Sequence, residues 1–258
     1  MPTPTIAVIG RGRFGAYWAN QLSLAARTPL TWDIADDDPA RLNAAASCDI
    51  VFFTVPIRAQ PDAARAVTPL MRPGSIAVDA CTVKTLPLMW MRDAAPPHVH
   101  VVGVHHLFGP QSAPDTCRGQ RAVVCDPRTP AADAVARLHE SMGIDVIRTT
   151  AEDHDHQVAY SQLLTHFIGR AIDAFNRSKS LDLTPLRMAT VTYRDLMHIK
   201  DVVCGNTWDL FEDMNTFNPS AHQARQDIMN QLANIHTLLN TAATRNSTHP
   251  TPPDHSTT

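Results

Sequence analysis

Two short segments of this 258-residue chain carry residue types and spacings that could do chemistry. Gly10-Arg11-Gly12-Arg13-Phe14-Gly15 follows the β-branched run Thr5-Ile6-Ala7-Val8-Ile9. It leads into a helical pattern with Phe14, Trp18, Leu22 and Ala25 at three- and four-residue spacing. There the first glycine permits a tight turn, the second lets a pyrophosphate approach the backbone, and the third lets helix and strand pack closely. Asp33, 23 positions after Gly10 at the end of a second strand, suits an acid that hydrogen-bonds ribose hydroxyls, expected at ~20. Much further on, Gly103-Val104-His105-His106-Leu107-Phe108-Gly109-Pro110 leaves an apolar, strand-like stretch from Val99 to Val104. A loop histidine is usually structural, but His105 at the mouth of a dinucleotide site is a candidate base for oxidising an alcohol.

Asp33 would repel a 2′-phosphate and so points to NAD. Arg11 and Arg13 either bind such a phosphate, which keeps NADP as the second candidate, or simply solvate the turn. After the fourth strand, Asp79-Ala80-Cys81-Thr82-Val83-Lys84 places Thr82 and Lys84 at a strand's carboxyl end, where open α/β sheets bind ligands. A turn hydroxyl is the plainer reading of Thr82. His106 should point away from His105, since neighbours on an extended chain face opposite ways. In Glu152-Asp153-His154-Asp155-His156 the acids suit a helix amino terminus. Adjacent residues there cannot share one face with His154, so no metal ion is expected. His166 lies 12 residues beyond His154, a little over three turns, and reads as lying on nearly the same face.

These residues need a scaffold. Strands are expected at Thr5–Ile9, Leu30–Ile34, Asp49–Val55, Ser75–Asp79, Val99–Val104, Arg121–Cys125 and Asp145–Arg148. Helices are expected at Phe14–Ala26, Pro61–Met71 and Pro130–Met142. That alternation predicts an α/β fold, a Rossmann-type domain with a mostly parallel sheet over residues 1–150. From Glu152 the strand signal fades, and helices are expected over Asp153–Lys179, Pro185–Val203 and Pro219–Ala243. These form an all-helical dimerisation domain at 151–244, followed by a disordered tail at 245–258 rich in Pro, Ser, Thr and His.

The net charge of -3 gives no case for nucleic acid or an anionic membrane as partner. Five cysteines without a Cys-x-x-Cys pair argue for reduced thiols and against a structural zinc. No apolar run approaches the ~18 residues of a membrane span, and no signal core opens the chain, so a soluble, cytoplasmic protein is the expectation.

The pattern resembles the prephenate dehydrogenase family, with its arogenate and aminodeoxyprephenate relatives, over roughly Thr5 to Phe211. Gly10 to Gly15 with Asp33 match the family's cofactor turn and acid, and Thr54-Val55-Pro56 its segment after the third strand. Asp79 to Lys84 is similar to a family motif with Ser where Thr82 stands. Gly103 to Pro110 resembles Gly-x-His-Pro-x-Phe-Gly-Pro, which puts the family's catalytic histidine on His105. His154-Asp155, Ala159 and His166 resemble the pattern that opens its helical domain. Departures are His106 for proline, Gln111 at a position often acidic, and no clear match for the arginine that holds a substrate carboxylate. The nearby cations are Arg194, His198 and Lys200.

The resemblance implies NAD-dependent oxidative decarboxylation of a cyclohexadienol, with His105 taking the hydroxyl proton. Thr82 would hydrogen-bond the hydroxyl or the nicotinamide amide. His166 and one of the second-domain cations would hold the substrate's carboxylates, with Lys84 an additional candidate. The alternatives are a 4-amino-4-deoxyprephenate dehydrogenase of secondary metabolism, a β-hydroxyacid or imine-reducing dehydrogenase, and a non-catalytic dinucleotide-binding protein. Apolar stripes at Leu163, Leu164, Phe167 and Ile168 and at Ile228, Leu232, Ile235 and Leu239 exceed what one sheet domain can cover, so a homodimer is expected.

Overall fold

The computed structural model describes residues 3–125, 129–179 and 189–247. Seven strands form one sheet: β1 (Ile6–Ile9), β2 (Leu30–Trp32), β3 (Ile50–Phe53), β4 (Ile76–Asp79), β5 (His100–His106), β6 (Arg121–Cys125) and β7 (Asp145–Thr149). Their order across the sheet is β2-β1-β3-β4-β5-β6-β7. The first five are parallel, β6 runs antiparallel to β5, and β7 is parallel to β6. β1, β3 and β4 are buried at every residue, which is why they read as unbroken apolar runs and not as alternation. The chain moves to opposite sides of β1 for β2 and β3, which opens a crevice at the carboxyl ends of the strands.

Helices α1 (Arg13–Leu24) and α5 (Pro130–Ser141) cover one face, packing Trp18, Leu22, Val135 and Leu138 against Phe52, Val78 and Val104. Helices α2 (Pro39–Ala46), α3 (Gln60–Val67) and α4 (Thr85–Ala94) cover the other, over Ala7, Ile9, Val51, Phe53 and Ala77. Each large apolar side chain so enclosed contributes about 1.5–3 kcal/mol. Helices α2 and α4 are not foreseen from the sequence pattern. Helix α2 starts on Asp38, whose side chain accepts from Arg41 N, but its eight residues bury only Ala45 and Ala46. Helix α4 has no side-chain cap.

Beyond β7 the described chain is helical: α6 (Ala151–Val158), a five-residue π-turn (Ala159–Leu163), α7 (Leu164–Ser178), α8 (Val191–Cys204), α9 (Trp208–Phe217) and α10 (Ala221–Ser247). The start of the helix expected from Pro185 lies outside the described residues, and its remainder is α8. Helix α9, capped by Thr207, went unforeseen. Helix α10 continues past Arg245 to Ser247, and the rest of the expected tail lies outside the described residues. Gly169 lets α8 come close, since a Cβ there would stand 2.4 Å from Val203 Cγ2. Among the described residues no helix is long and apolar enough to cross a membrane.

Candidate active site

The glycine turn has the shape its sequence requires. Gly10 takes φ +94°, a left-handed value that favours glycine. A Cβ on Gly15 would lie 2.0 Å from Gly10 O, whereas a Cβ on Gly12 would meet nothing within 4 Å. The open side at Gly12, its φ of -63° leading into α1, is where an anion can reach the helix amino terminus. Arg11 N donates to Asp33 Oδ2 at 2.7 Å, so the acid closing β2 is tied to the turn. That bond and one from Ala35 N hold the Asp33 carboxyl below its usual range, hence ionised.

Several neighbours have other work. The Arg11 guanidinium pairs with Asp36, and Arg13 Nη1 reaches Gly205 O at 3.3 Å. The Phe14 ring packs 5.0 Å from His106 and leaves only its backbone to the anion site. The Thr54 hydroxyl donates to the carbonyls of Ile9 and Gly10 at 2.9 Å, bracing the turn from beneath, while Val55 is half-buried beside Gly10 and Pro56 is exposed.

His105 and His106 belong to β5, which runs two residues beyond the apolar stretch seen in the sequence. Alternation sends them to opposite faces. His106 enters the core between Phe14, Trp18 and Phe108 and donates from Nε2 to His139 Nε2 at 3.0 Å. His139 in turn donates from Nδ1 to Val135 O at 2.8 Å. Both rings titrate below the ordinary histidine value, chiefly because burial penalises the cation, His139 at about 4.

His105 Nδ1 lies 2.8 Å from His154 Nε2, and His154 Nδ1 lies 2.9 Å from Asp155 Oδ1. Asp155 also accepts from the backbone N–H groups of Lys84 and Thr85, each at 2.8 Å. Burial alone would raise its pKa, but the bonds from His154, Thr85 and Lys84 bring it below the ordinary value. The carboxylate can only accept, so the proton on His154 sits on Nδ1. Its Nε2 lone pair then accepts from His105 Nδ1–H, and His105 Nε2 is left as a lone pair. Although His105 is 4% exposed, its Nε2 has no partner among the described residues and is not fully enclosed, so it faces an opening. Burial, His154 and the Lys84 charge hold the His105 pKa well below the ordinary value. The site therefore presents a neutral acceptor.

Strand register explains the meeting of His105 with α6. Gly103 pairs with Cys125, and Cys125 with Thr149. Two residues of strand from Gly103 advance about 6.6 Å to His105. Four residues of helix from Thr150 advance about 6 Å to His154. Of the acidic and histidine run at 152–156, His154 and Asp155 are buried in this relay, and Glu152, Asp153 and His156 are not. Sequence reasoning gave His154 and Asp155 no chemical role. The signal was the pair's match to the family pattern.

The expectation that Lys84 faces the crevice is corrected. Its side chain is fully buried, and its ammonium pairs with Asp79 while donating to Val104 O at 2.8 Å and Asp79 O at 3.3 Å. Three donors meet three acceptors, and none is left for a substrate. Gly103 makes the room, since a Cβ there would stand 3.2 Å from Lys84 Cδ. Thr82, by contrast, is half-buried after β4.

His166 is buried on α7 with Nδ1 unpartnered. Twelve residues of unbroken α-helix make three and a third turns, placing it about 120° from His154, not on nearly the same face. The π-turn between them takes up about one residue and returns the offset to roughly 20°. Arg194 and His198 are exposed on α8, and Lys200 pairs with Asp201 at 2.5 Å. Arg170, unmarked by any sequence motif, lies one turn beyond His166.

A family model described as prephenate dehydrogenase, nucleotide-binding domain, matches residues 19–148, half of the chain. The chain belongs to the prephenate dehydrogenase family. Within the family's range it is 27% identical over 204 residues to a probable arogenate/prephenate dehydrogenase of Methanocaldococcus jannaschii, covering 77% of this chain and 45% of that protein. It is 28% identical over 195 residues to a 4-amino-4-deoxyprephenate dehydrogenase of Streptomyces pristinaespiralis, covering 75% and 65%. The chain thus spans about half the length of the curated relatives it matches. A second model, the TYRAAT1-like C-terminal domain, matches residues 177–249. Among solved structures, prephenate dehydrogenase from A. aeolicus in complex with hydroxyphenyl propionate and NAD+ superposes with a TM-score of 0.77. Identity there is 16%, covering 94% of this chain and 93% of that one, and it shows the shared fold: a Rossmann-like nucleotide-binding half followed by helices.

Proposed function

We propose that this chain oxidatively decarboxylates prephenate or arogenate with NAD, His105 Nε2 accepting the hydroxyl proton. The observation that carries the reading is the relay from Asp155 through His154, which leaves His105 neutral with its free lone pair at an opening. A bound nicotinamide would supply the acceptor for the hydride on the ring carbon bearing the hydroxyl, with the ring carboxylate lost as carbon dioxide and its bonding pair completing the aromatic ring. His105 removes the O–H proton, a role worth about 10²–10⁴-fold in rate. Burial keeps the imidazole unprotonated, with His154 and the Lys84 charge adding to it, and Thr82 offers a hydroxyl at the same edge. Gly10, Gly12 and Gly15 with the start of α1 hold the pyrophosphate, and ionised Asp33 receives the ribose hydroxyls. NAD is favoured over NADP because Arg11 and Arg13 already have partners in Asp36 and Gly205.

The decisive experiment is NADH formation from prephenate, arogenate and 4-amino-4-deoxyprephenate, with NAD and NADP, by the wild type and His105→Asn. Turnover should fall at least about 100-fold in the variant with NAD affinity kept. Normal turnover in His105→Asn would end the proposal. The amino substrate is the second reading, favoured by the Streptomyces pristinaespiralis relative. Turnover of it alone would replace the first.

The functional unit we infer is a homodimer through the helical half. Every residue of α10 from Met229 to Thr241 is exposed, including Leu232, Ile235, Leu238 and Leu239. A helix uncovered all round is marginal in water, and a second copy supplies the matching apolar face.

A further inference from the structure

The nucleoside end of the crevice is rich in acids. Asp33 closes β2, and Asp36, Asp37 and Asp38 follow it. Two arginines stand nearby, and both are engaged. Arg41 lies along the outer strand, donating from Nε to Thr31 O at 2.8 Å and from Nη2 to Thr31 Oγ1 at 3.2 Å. The Arg11 guanidinium pairs with Asp36.

Asp36 uses both of its oxygens. Oδ2 accepts from Asp33 N at 2.9 Å, while Oδ1 takes Arg11 Nη2. Asp33 in turn accepts from Ala35 N at 3.1 Å through Oδ1 and from Arg11 N at 2.7 Å through Oδ2. The two acids thus hold one arginine at both ends, Asp33 its backbone and Asp36 its guanidinium. The pair is not sealed off, since the Arg11 side chain is 40% exposed, against 10% for Asp36.

Asp33 is placed to receive ribose hydroxyls, and a 2′-phosphate hangs from one of those oxygens. It carries nearly two negative charges. Arg11, joined through its own N–H to the same carboxylate, has the charge and the planar fork that such a phosphate requires. While Asp36 keeps the guanidinium, the phosphate meets two carboxylates, and the Arg11 charge is already neutralised.

We propose that Asp36 is a specificity-determining residue for the nicotinamide cofactor. It withholds Arg11 from the 2′ position, so that NADP is admitted by losing an acid and not by gaining a cation. Asp33 supplies the repulsion, and Asp36 removes the remedy. This role rests on reading Asp33 as the ribose acid.

The test uses wild type, Asp36→Asn, Arg11→Gln and the double variant as full-length proteins, with thermal melting as a control. Asparagine keeps an oxygen for Asp33 N and loses the charge that holds Arg11. Adenosine 2′,5′-bisphosphate and 5′-AMP, which differ by the 2′-phosphate alone, are titrated calorimetrically, as are NADP and NAD. Asp36→Asn should bind the bisphosphate and NADP at least about 10-fold more tightly, the gain of one charge-assisted bond, with 5′-AMP and NAD changed less than about threefold. In the double variant that gain should vanish. No gain in Asp36→Asn, or a gain that survives the loss of Arg11, would overturn the lock. Asp33→Ala separates it from the ribose reading. If that variant weakens 5′-AMP while Asp36→Asn gains nothing, the lock falls and the ribose acid stands. If it leaves 5′-AMP and NAD untouched while the Arg11-dependent gain appears, the ribose reading falls and the lock stands.

Discussion

His154 Nε2 lies 2.8 Å from His105 Nδ1, so the sheet's imidazole takes its tautomer from a helix that belongs to the other half of the chain. His154→Leu should therefore lower kcat about 10- to 100-fold, as lost second partners of site histidines do, without weakening NAD binding. The pH profile gives the sharper readout. In the wild type kcat/KM should stay level through neutrality and fall only well below pH 6.5, because His105 must be neutral and its pKa is depressed. Removing His154 takes away one depressing influence and moves that acid limb upward. An unchanged profile would show that the contact is idle.

Lys84→Met offers a separate check. The Lys84–Asp79 pair is fully buried, so deleting the cation strands a carboxylate, a change that typically costs about 3–5 kcal/mol. Urea unfolding should record that loss. A stable variant with a raised KM would instead return Lys84 to the substrate site.

Acid sensitivity follows from the other histidine pair. His106 and His139 are neutral in the fold, with pKa values below the unfolded value of 6.5. Below pH 6.5 the unfolded chain takes up protons that the native state refuses, so stability falls with falling pH. For His139 the loss continues to about pH 4 and reaches about 3 kcal/mol. His106→Phe with His139→Leu should flatten that part of the stability curve, measured by urea midpoints at several pH values. An equally steep decline would assign the effect elsewhere.

The exposed stretch of α10 makes the oligomer testable. Leu232→Asp with Leu239→Asp should convert a dimer in sedimentation to a 28.3 kDa species. A wild type that already sediments at that mass would dismiss the dimer.

The sheet was legible because β1, β3 and β4 are enclosed on both faces and the glycines at 10, 12 and 15 admit few other roles. His105 was legible from its place at a strand end. What the sequence hid was partnership across distance. Nothing local in Lys84 says that Gly103, 19 residues away, leaves space for it to lie down beneath the sheet's edge. Arg170 is hidden for a similar reason, since the groups that hold it, the carbonyls of Asn206 and Thr207 and the rings of Trp208 and Phe211, lie more than 30 residues away. Helix α9 is only ten residues, too short for its apolar pattern to stand out between two longer helices.

The π-turn at Ala159–Leu163 sets an angular relation that residue count alone would get wrong. Because α6 and α7 are continuous through it, the imidazoles at its two ends are coupled by rotation as well as by separation. Shortening the segment by one residue would keep every side chain of the site and yet swing His166 and Arg170 together through about 100° about the helix axis. Length in this stretch is therefore under tighter constraint than composition, and substitutions there should be borne far better than a single deletion.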